Sequence, residues 1–235
     1  METCNILQRI IIGSVIGVEF NIIVRMNKYQ ITKQTYNDVA DLYEQTFMGS
    51  DLYSSSYDRF LKLIKPGSSV LEVGCGPGNV SRYLLNQKPD LKITGIDYAE
   101  QMIQRSKVNN PKVNYKVLDC KEIDTLKMKY DVAFSAFCTP YLSLNDCKKL
   151  FTAFADIIKP EGFLYLSTME GDPLTSGYQG SSSHDGKVYI YYHQKRDLVE
   201  SLESNGFEII DSFRQAYKNK DAEATDLFIF AKLST

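Results

Sequence analysis

The chain has 235 residues, of which 43% are hydrophobic and 24% charged, and 27 Lys and Arg against 29 Asp and Glu give it a net charge of −2. This length suits one α/β domain and is short for two. The composition is typical of a soluble globular protein. The balanced charge argues against a nucleic-acid partner, since such a partner requires a basic patch that neutralises phosphates.

The cysteines and histidines predict no metal site. The five cysteines are Cys4, Cys75, Cys120, Cys138 and Cys147. No pair has CxxC spacing and the number is odd, whereas structural zinc sites need closely spaced Cys or His ligands. Free thiols are typical of the reducing cytosol, so we expect a cytoplasmic protein.

The first predicted feature along the chain is an apolar stretch at residues 6–24, ILQRIIIGSVIGVEFNIIV. Arg9, Glu19 and Asn21 interrupt it, and it is barely long enough to span a bilayer. It also lacks the basic start and the small-residue cleavage site of a signal peptide. We interpret residues 1–26 as an extension, artefactual or poorly ordered, with a peripheral membrane anchor as the alternative. We therefore expect no stable membrane association.

Residues 27–235 read as a single domain. Helices are predicted at 35–47, with Asn37 or Asp38 as the N-cap, and at 56–64. Strands are then predicted at 69–73, 91–96, 113–118, 130–136 and 163–169, and helices at 80–86, 100–108 and 145–158. Strands alternating with helices at this spacing imply a parallel sheet that is covered on both faces.

The alternation ends at residues 170–186, EGDPLTSGYQGSSSHDG, which we expect to form a long loop, either a binding segment or a solvated surface loop. A strand at 188–192 and a helix at 197–204 follow. Two strands at 207–213 and 226–233 then form an antiparallel hairpin. The predicted fold is a doubly wound, mostly parallel seven-stranded α/β sheet with a C-terminal antiparallel hairpin and an N-terminal helical cap.

The segment VLEVGCGPGNVS, residues 70–81, joins the first of these strands to a helix and is typical of a loop that holds a nucleotide-like ligand. A triphosphate loop needs GxxxxGK followed by Ser or Thr, and no lysine follows Asn79. A dinucleotide loop needs GxGxxG/A, but its sixth position here is Asn79, and Pro77 has no N–H for a pyrophosphate. Glu72 adds a negative charge, which favours a ligand with positive charge.

The run Glu72-Val73-Gly74-Cys75-Gly76-Pro77-Gly78 resembles the E-x-G-x-G-x-G signature of the Rossmann-like S-adenosylmethionine-dependent methyltransferases. The resemblance extends from about residue 35 to the C-terminus and is strongest over 70–166. It implies S-adenosylmethionine as the cofactor, a cofactor-binding core at 67–169 and a substrate or lid region at 170–195. It implies cofactor contacts from the loop residues Glu72, Gly74, Cys75, Gly76, Gly78 and Asn79.

Acidic residues end the next two strands, at the sheet edge where open α/β sheets bind ligands. Asp97 can accept both ribose hydroxyls, one on each oxygen, although dinucleotide enzymes share this feature. Tyr98 and Met102 are predicted to flank the adenine. The resemblance implies that Asp119 accepts the adenine amino group and that the backbone N–H at Cys120 reaches a ring nitrogen.

Two further segments resemble parts of the same family. Residues 135–142, SAFCTPYL, correspond to the segment that lines the methyl-donor end, and the backbone at Ala136 and Phe137 is expected to face the cofactor. The segment TYNDVADLYE resembles an N-terminal helix whose tyrosines close over the cofactor. Tyr36 and Tyr43, seven residues apart on one helical face, are therefore cofactor candidates, and a role as core aromatics is the alternative.

The resemblance predicts methyl transfer to an oxygen or nitrogen of a small molecule, a displacement in which the protein mainly aligns the reactants and excludes water. His193 is the candidate general base, because its ordinary pKa suits neutral pH; a non-catalytic strand-end histidine is the alternative. His184, in the Gly/Ser-rich loop, is a weaker candidate for the base, and Tyr141 is the candidate for orienting the acceptor. A protein or RNA methyltransferase and a catalytically silent cofactor-binding protein remain alternatives, and the oligomeric state is open.

Overall fold

The computed structural model describes residues 7–11, 21–25, 27–180, 186–219 and 222–234. Within the first 26 residues, strands β1 (Leu7–Ile11) and β2 (Asn21–Arg25) pair in antiparallel fashion. The interpretation of residues 1–26 as an extension stays a prediction. In the described ranges, no helix has the length and apolar character that crossing a membrane requires.

Three helices precede the main sheet: α1 (Lys28–Asp38), α2 (Ala40–Phe47) and α3 (Ser54–Leu61). The prediction of a single helix at 35–47 is wrong in two respects, since α1 begins at Lys28 and the helix breaks at Val39. The early start has a local cause, because Asn27 and Gln30 form a capping box with reciprocal hydrogen bonds of 3.0 and 3.1 Å. The predicted N-cap Asn37 instead accepts a hydrogen bond from the backbone N–H of Gln101, at the start of a later helix.

Nine strands and four α-helices follow in the described residues, besides three short 3-10 helices. The strands are β3 (Ser69–Val73), β4 (Lys92–Asp97), β5 (Asn114–Val117), β6 (Tyr130–Ala136), β7 (Ile158–Glu170), β8 (Gly177–Gly180), β9 (Lys187–Ile190), β10 (Phe207–Asn219) and β11 (Ala222–Leu233). The helices are α4 (Asn79–Gln87), α5 (Glu100–Asn109), α6 (Leu144–Ile157) and α7 (Lys195–Glu203).

Seven of these strands form one sheet in the order β10-β11-β7-β6-β3-β4-β5. Strands β3 to β7 pair in parallel, and β11 pairs antiparallel with both β7 and β10. The predicted fold class is therefore confirmed, including the C-terminal antiparallel hairpin. The central strands are almost wholly buried, as expected for a parallel sheet covered on both faces.

Apolar cores fill both faces of the sheet. One core joins α6 and α7 to the sheet, and the other joins α3 and α4 to its opposite face. In the second core, the rings of Phe134 and Tyr165 stack at 4.0 Å on neighbouring strands. These cores fix the relative positions of the strand ends from which the site is built.

The region after β7 is more ordered than the predicted long loop. It contains a short 3-10 turn (Pro173–Thr175) and β8, which pairs antiparallel with β9. This hairpin contacts α1, since Thr35 Oγ1 donates to the Lys187 carbonyl at 2.8 Å and the Tyr189 N–H donates to Thr32 Oγ1 at 3.1 Å. His184 lies outside the described residues.

Candidate ligand-binding site

The loops after β3 and β4 are tied to each other at the carboxyl edge of the sheet. The N–H groups of Gly74 and Cys75 both donate to the Ile96 carbonyl at 2.9 Å. The Asp97 carboxylate accepts from the Gly76 N–H at 2.9 Å and from the Ala99 N–H at 2.8 Å. Asp97 is thus held by both loops, and each of its oxygens keeps a second lone pair for a ligand.

An inner cavity of about 90 Å³ lies at this edge. Eleven of the predicted site residues line it: Tyr36, Tyr43, Gly74, Gly76, Asp97, Tyr98, Met102, Cys120, Ala136, Phe137 and Tyr141. Residues from α1 and α2, from the ends of three strands and from the segment after β6 therefore meet in one place. Their convergence is a finding of the structure, and their individual roles toward a ligand stay predictions.

Four more residues line the inner cavity, and the sequence analysis missed them: Tyr29, Leu118, Cys138 and Leu142. Tyr29 was missed because the first helix was placed seven residues too late. The capping signal Asn-x-x-Gln at Asn27 and Gln30 was available to find it. Leu118 directly precedes Asp119, and the other two lie inside the segment 135–142 that had been singled out.

Glu72 does not face the empty space. It is 1% exposed, lies outside the cavity lining, and accepts a hydrogen bond from the Ser81 hydroxyl on α4. Burial raises the pKa of Glu72 to about 8, so the carboxyl is mostly protonated at pH 7. In the unliganded protein, burial thus disfavours the negative charge expected at Glu72, and its predicted contact with the cofactor stays a prediction.

Gly78 also serves the fold rather than the cavity wall. Its φ is +85° at the start of α4, and a Cβ there would lie 2.5 Å from Asn110 Nδ2 and 2.7 Å from the Tyr115 hydroxyl oxygen. Its carbonyl accepts from the same Asn110 Nδ2 at 2.9 Å. Gly78 therefore has a packing role, because only a residue without a side chain fits against Asn110 and Tyr115, and its predicted contact with the cofactor stays a prediction.

The other predicted loop residues divide between the core and the outer part of the site. Cys75 is buried outside the cavity lining, and burial raises the pKa of its thiol. Asn79 lines an outer cavity, described below. Asp119 lies outside both linings, where it accepts from the Tyr29 hydroxyl at 2.6 Å and the Lys121 N–H at 2.9 Å. The predicted contact of Asp119 with an adenine amino group stays a prediction.

A cluster of tyrosines separates the inner cavity from the outer one. The hydroxyls of Tyr36 and Tyr141 share a hydrogen bond, and their rings meet edge-on at 5.2 Å. Tyr43 packs edge-on against Tyr36 at 5.9 Å. Burial raises the pKa of Tyr36 and of Tyr43, so both stay neutral phenols. Because all three line both cavities, this cluster forms the boundary between them.

The outer cavity has a volume of about 550 Å³ and is strongly aromatic. Besides the shared tyrosines, its described lining includes Phe47, Tyr53, Tyr57, Tyr83, Phe137 and Met169. Phe137 stands where the two cavities join, with a φ of +53° that is unusual for a residue other than glycine. Its N–H donates to the carbonyl and the hydroxyl of Ser167, each at 3.1 Å, so this donor is directed at the protein.

The structure places His193 in a buried position. The residue is 3% exposed and lies outside both cavity linings. Its Nε2 lies 3.0 Å from the Thr139 carbonyl oxygen, to which it donates, and burial lowers its pKa. This placement favours the alternative of a structural strand-end histidine, whose ring joins the segment after β6 to the strand-like residues after β9, and the catalytic role of His193 stays a prediction.

One observation indicates that the inner cavity is suited to a polar ligand. Tyr98 lines this cavity, and its buried hydroxyl has no hydrogen-bond partner among the described residues. Buried polar groups are nearly always hydrogen-bonded in native proteins, so a ligand that pairs with this hydroxyl is expected. Within the described ranges, no group of three or more His, Cys, Asp or Glu side chains is arranged to hold a metal ion.

Comparison with known proteins agrees with this geometry. Residues 70–162, which contain the glycine loop and strands β3 to β6, match the methyltransferase domain family. Over 85% of the chain, the structure resembles the crystal structure of an S-adenosylmethionine-dependent methyltransferase from Clostridium acetobutylicum ATCC 824, with a TM-score of 0.66 and 16% identity, and it covers 99% of that protein. The family match covers residues 70–162, less than half of the chain, and the structural likeness shows that the chain shares the fold of that methyltransferase.

Two curated relatives are similar in sequence. A malonyl-(acyl-carrier protein) O-methyltransferase of Acetivibrio thermocellus is 35% identical over 101 residues, which cover 42% of this chain and 35% of the relative. Phosphoethanolamine N-methyltransferase 1 of Arabidopsis thaliana is 28% identical over 167 residues, which cover 67% of this chain and 33% of the relative. The chain thus spans about a third of the length of each of these relatives.

Proposed function

We propose that this protein is an S-adenosylmethionine-dependent methyltransferase that transfers a methyl group to an oxygen or nitrogen of a small molecule. The observation that carries the proposal is the inner cavity at the carboxyl edge of the sheet. There the Gly74–Gly76 turn, Asp97 and Cys120 from three successive strand ends converge. Such strand-end crevices are where open α/β sheets bind their ligands.

The residues present fit the cofactor. Asp97 would accept the ribose hydroxyls with its remaining lone pairs, and Tyr98 and Met102 would flank the adenine. Gly74 and Gly76 would let the methionine half pass close to the backbone, and a Cβ on Gly76 would meet its first neighbour only at 3.8 Å, on Tyr43. When bound, S-adenosylmethionine supplies an electrophilic methyl group.

The outer cavity supports a small acceptor. It adjoins the inner cavity at Tyr36, Tyr43 and Tyr141, so an acceptor there would lie next to the cofactor. Its hairpin wall, formed by β8 and β9, limits the size of the acceptor. Of the two curated relatives, one is named for phosphoethanolamine, a small molecule, and the other for a malonyl group carried on an acyl-carrier protein. Tyr141 stays our candidate for orienting the acceptor.

Two alternatives have a specific test. A protein or RNA methyltransferase would transfer methyl groups to polymeric acceptors, and a catalytically silent protein would bind the cofactor without transfer.

The four described cysteines, Cys75, Cys120, Cys138 and Cys147, are free. Their reduced state supports our further proposal of a cytoplasmic location.

Isothermal titration with S-adenosylmethionine and S-adenosylhomocysteine tests the cofactor. We expect binding by the wild type and a loss of roughly tenfold or more in Asp97→Ala, since charge-assisted hydrogen bonds contribute about 1.5–3 kcal/mol each. Asp90→Ala, at an exposed position, is the matched control and should bind like wild type. Absence of binding, or equal binding by Asp97→Ala, would refute the proposal. Transfer of a labelled methyl group to a panel of small acceptors then separates an enzyme from a silent binding protein.

A further inference from the structure

A buried carboxylate lies behind the wall of the outer cavity. Asp226, on β11, is 1% exposed. Its Oδ2 accepts a hydrogen bond of 2.8 Å from the hydroxyl of Tyr53, which lines that cavity. Its Oδ1 has no hydrogen-bond partner among the described residues. An unsatisfied buried carboxylate oxygen is costly, and nothing in the fold described so far uses it.

The surroundings of Asp226 disfavour its ionised form more than water does, although the carboxyl is still ionised at neutral pH. Burial raises the pKa of Asp226 to about 6, and the Tyr53 hydroxyl partly offsets this effect. In the sheet its neighbours are Met169 on β7 and Gln215 on β10, both neutral. The nearby Tyr165 is a buried phenol whose hydroxyl shares a hydrogen bond with Ser56. No cation among the described residues offsets the charge of the Asp226 carboxylate.

The rest of the outer cavity is suited to a cation. Tyr53 packs on Phe137 with ring centroids 4.6 Å apart, and tyrosine and phenylalanine faces attract cations. The described lining contains one carboxylate, Asp51, and one cation, Arg82. The Arg82 guanidinium is directed at Asn109, whose carbonyl and side-chain oxygens it contacts at 3.0 and 3.2 Å. Among the described residues, Asp226 thus has no cationic partner.

We propose that the acceptor is a protonated primary or secondary amine, that Tyr53 is the group that contacts its nitrogen, and that Asp226 positions Tyr53 and receives the proton. This inference rests on the proposed methyltransferase function and names the class of its acceptor. The Tyr53 oxygen, while donating to Asp226, can accept from an ammonium N–H.

The reaction has two steps, a proton transfer followed by a methyl transfer. The ammonium N–H bond breaks toward the Tyr53 oxygen as the Tyr53 proton moves to Asp226 Oδ2, which leaves a neutral amine and a protonated Asp226. The nitrogen lone pair then forms the bond to the methyl carbon, and the carbon–sulfur electron pair returns to sulfur. The product leaves as a methylated ammonium, and Asp226 releases its proton to water. A carboxylate acceptor would have no proton to give and would be repelled by Asp226.

Binding of three probes of one shape to protein saturated with S-adenosylhomocysteine tests the inference: phenethylamine, phenethyl alcohol and hydrocinnamate. We expect the amine to bind at least about tenfold more tightly than the other two, as befits hydrogen bonds to a charged group. Asp226→Asn and Tyr53→Phe should each abolish this preference. In wild type the amine affinity should fall below about pH 6, where Asp226 is protonated, and in Asp226→Asn that dependence should disappear.

The control is Asp58→Asn, which removes the carboxylate from an exposed tyrosine–aspartate pair of the same chemistry, Tyr83 Oη to Asp58 Oδ1 at 2.8 Å. It should keep the amine preference. If Asp226→Asn does not fold, Tyr53→Phe alone decides, since it keeps the ring and removes only the hydroxyl. Failure of S-adenosylhomocysteine to bind overturns the proposed function and this inference together. Normal S-adenosylhomocysteine binding with no amine preference, or a preference that survives Tyr53→Phe, overturns this inference alone.

Discussion

Asp97 shows how one residue combines a structural and a ligand-binding task. Its oxygens fix the loops after β3 and β4, and it lines the inner cavity. Burial raises its pKa to about 6, against the lowering effect of the two backbone N–H groups. A carboxylate whose pKa is displaced toward neutrality, lying in a cavity, is typical of a functional site.

The displaced pKa predicts a pH dependence of cofactor affinity. Ribose hydroxyls donate to the ionised form of Asp97, so binding should favour ionisation. We expect the affinity for S-adenosylhomocysteine to be constant above about pH 7 and to fall as the pH drops through about 6, by up to about tenfold per pH unit. Titrations between pH 5 and 8 check this, and a similar decline in Asp97→Asn would contradict it.

Glu72 predicts a pH dependence of stability. Its pKa is about 8 in the folded protein against an ordinary value of 4.5, so the folded state holds the proton more tightly. The stability that Glu72 contributes is therefore fully present below about pH 4.5 and is lost as the pH rises to and through about 8. The loss amounts to up to about 1.4 kcal/mol per pH unit within that window.

Glu72→Gln should remove this loss, because a buried amide carries no charge. We expect the variant to gain stability relative to wild type as the pH rises from 5 to 8.5, measured by urea unfolding. Its affinity for S-adenosylhomocysteine should stay within about threefold of wild type, because Glu72 lies outside the cavity lining. A parallel stability profile in the two proteins would show that Glu72 is ionised in the fold.

Gly78 predicts a loss of stability rather than of ligand contact. Gly78→Ala would force a Cβ against Asn110 and Tyr115 and place alanine at a φ of +85°. We expect a destabilisation of at least about 2 kcal/mol from clash and strain together. Gly49→Ala is the matched control, since a Cβ there meets nothing within 4 Å. Denaturant unfolding of both variants checks the difference, and equal stabilities would argue against the packing role.

At the scale of elements, α1 links the cavity to the region after β7. It carries Tyr29 and Tyr36 into the cavity lining, while Thr32 and Thr35 on the same helix bond to the backbone of β9. Ile31 is the only aliphatic residue of this helix, and it is buried. Its position therefore depends on its cap and on these polar contacts.

The dependence on the cap is testable with Asn27→Ala, which removes the capping box. We expect a loss of about 1 kcal/mol in the stability of α1, seen as faster amide exchange in that helix. A weaker affinity for S-adenosylhomocysteine should accompany it, because Tyr29 and Tyr36 lose their fixed position. Gln34→Ala, which removes an exposed contact to Asp38 on the same helix, is the control. Unchanged exchange in Asn27→Ala would contradict the assignment.

Element types were predicted better than element ends. The strands at 69–73 and 130–136 agree with the structure residue for residue. The first helix was misplaced because an apolar pattern locates the buried face of a helix, whereas the start depends on side chains that satisfy the free backbone N–H groups. The strand predicted at 188–192 corresponds to β9, but β8 and its pairing with β9 were missed, because β8 lies inside the Gly/Ser-rich stretch that reads as loop.

At the scale of the whole molecule, the sheet order brings distant parts of the chain together. The Tyr53–Asp226 hydrogen bond joins residues 173 positions apart, from the helical cap and from the antiparallel edge. Strand β11, the last in the chain, is inserted between β10 and β7 in the sheet. This insertion places Asp226 behind the outer cavity, a position that no local pattern indicates.

The stacked aromatic pair at the centre of the sheet predicts the cost of opening the core. Phe134→Ala would remove a fully buried ring that stacks on Tyr165 at 4.0 Å. We expect a loss of about 3–5 kcal/mol in the free energy of unfolding, measured with denaturant. Val117→Ala, at a half-exposed strand position, should cost less than about 1 kcal/mol. Comparable losses in the two variants would mean that the core relaxes into the gap.

The sequence by itself determined the parallel sheet, the glycine turn after β3 and the acidic strand end at Asp97. These follow from local rules: periodicity sets the element, glycine permits the turn, and the carboxyl ends of parallel strands meet at one edge. Only the tertiary structure decided that Glu72 and His193 are buried away from the cavities, that Tyr29 lines the inner one and that Asp226 pairs with Tyr53. Burial and pairing depend on which surfaces pack together across the chain, and the same carboxyl or imidazole is a ligand group or a core group according to that packing.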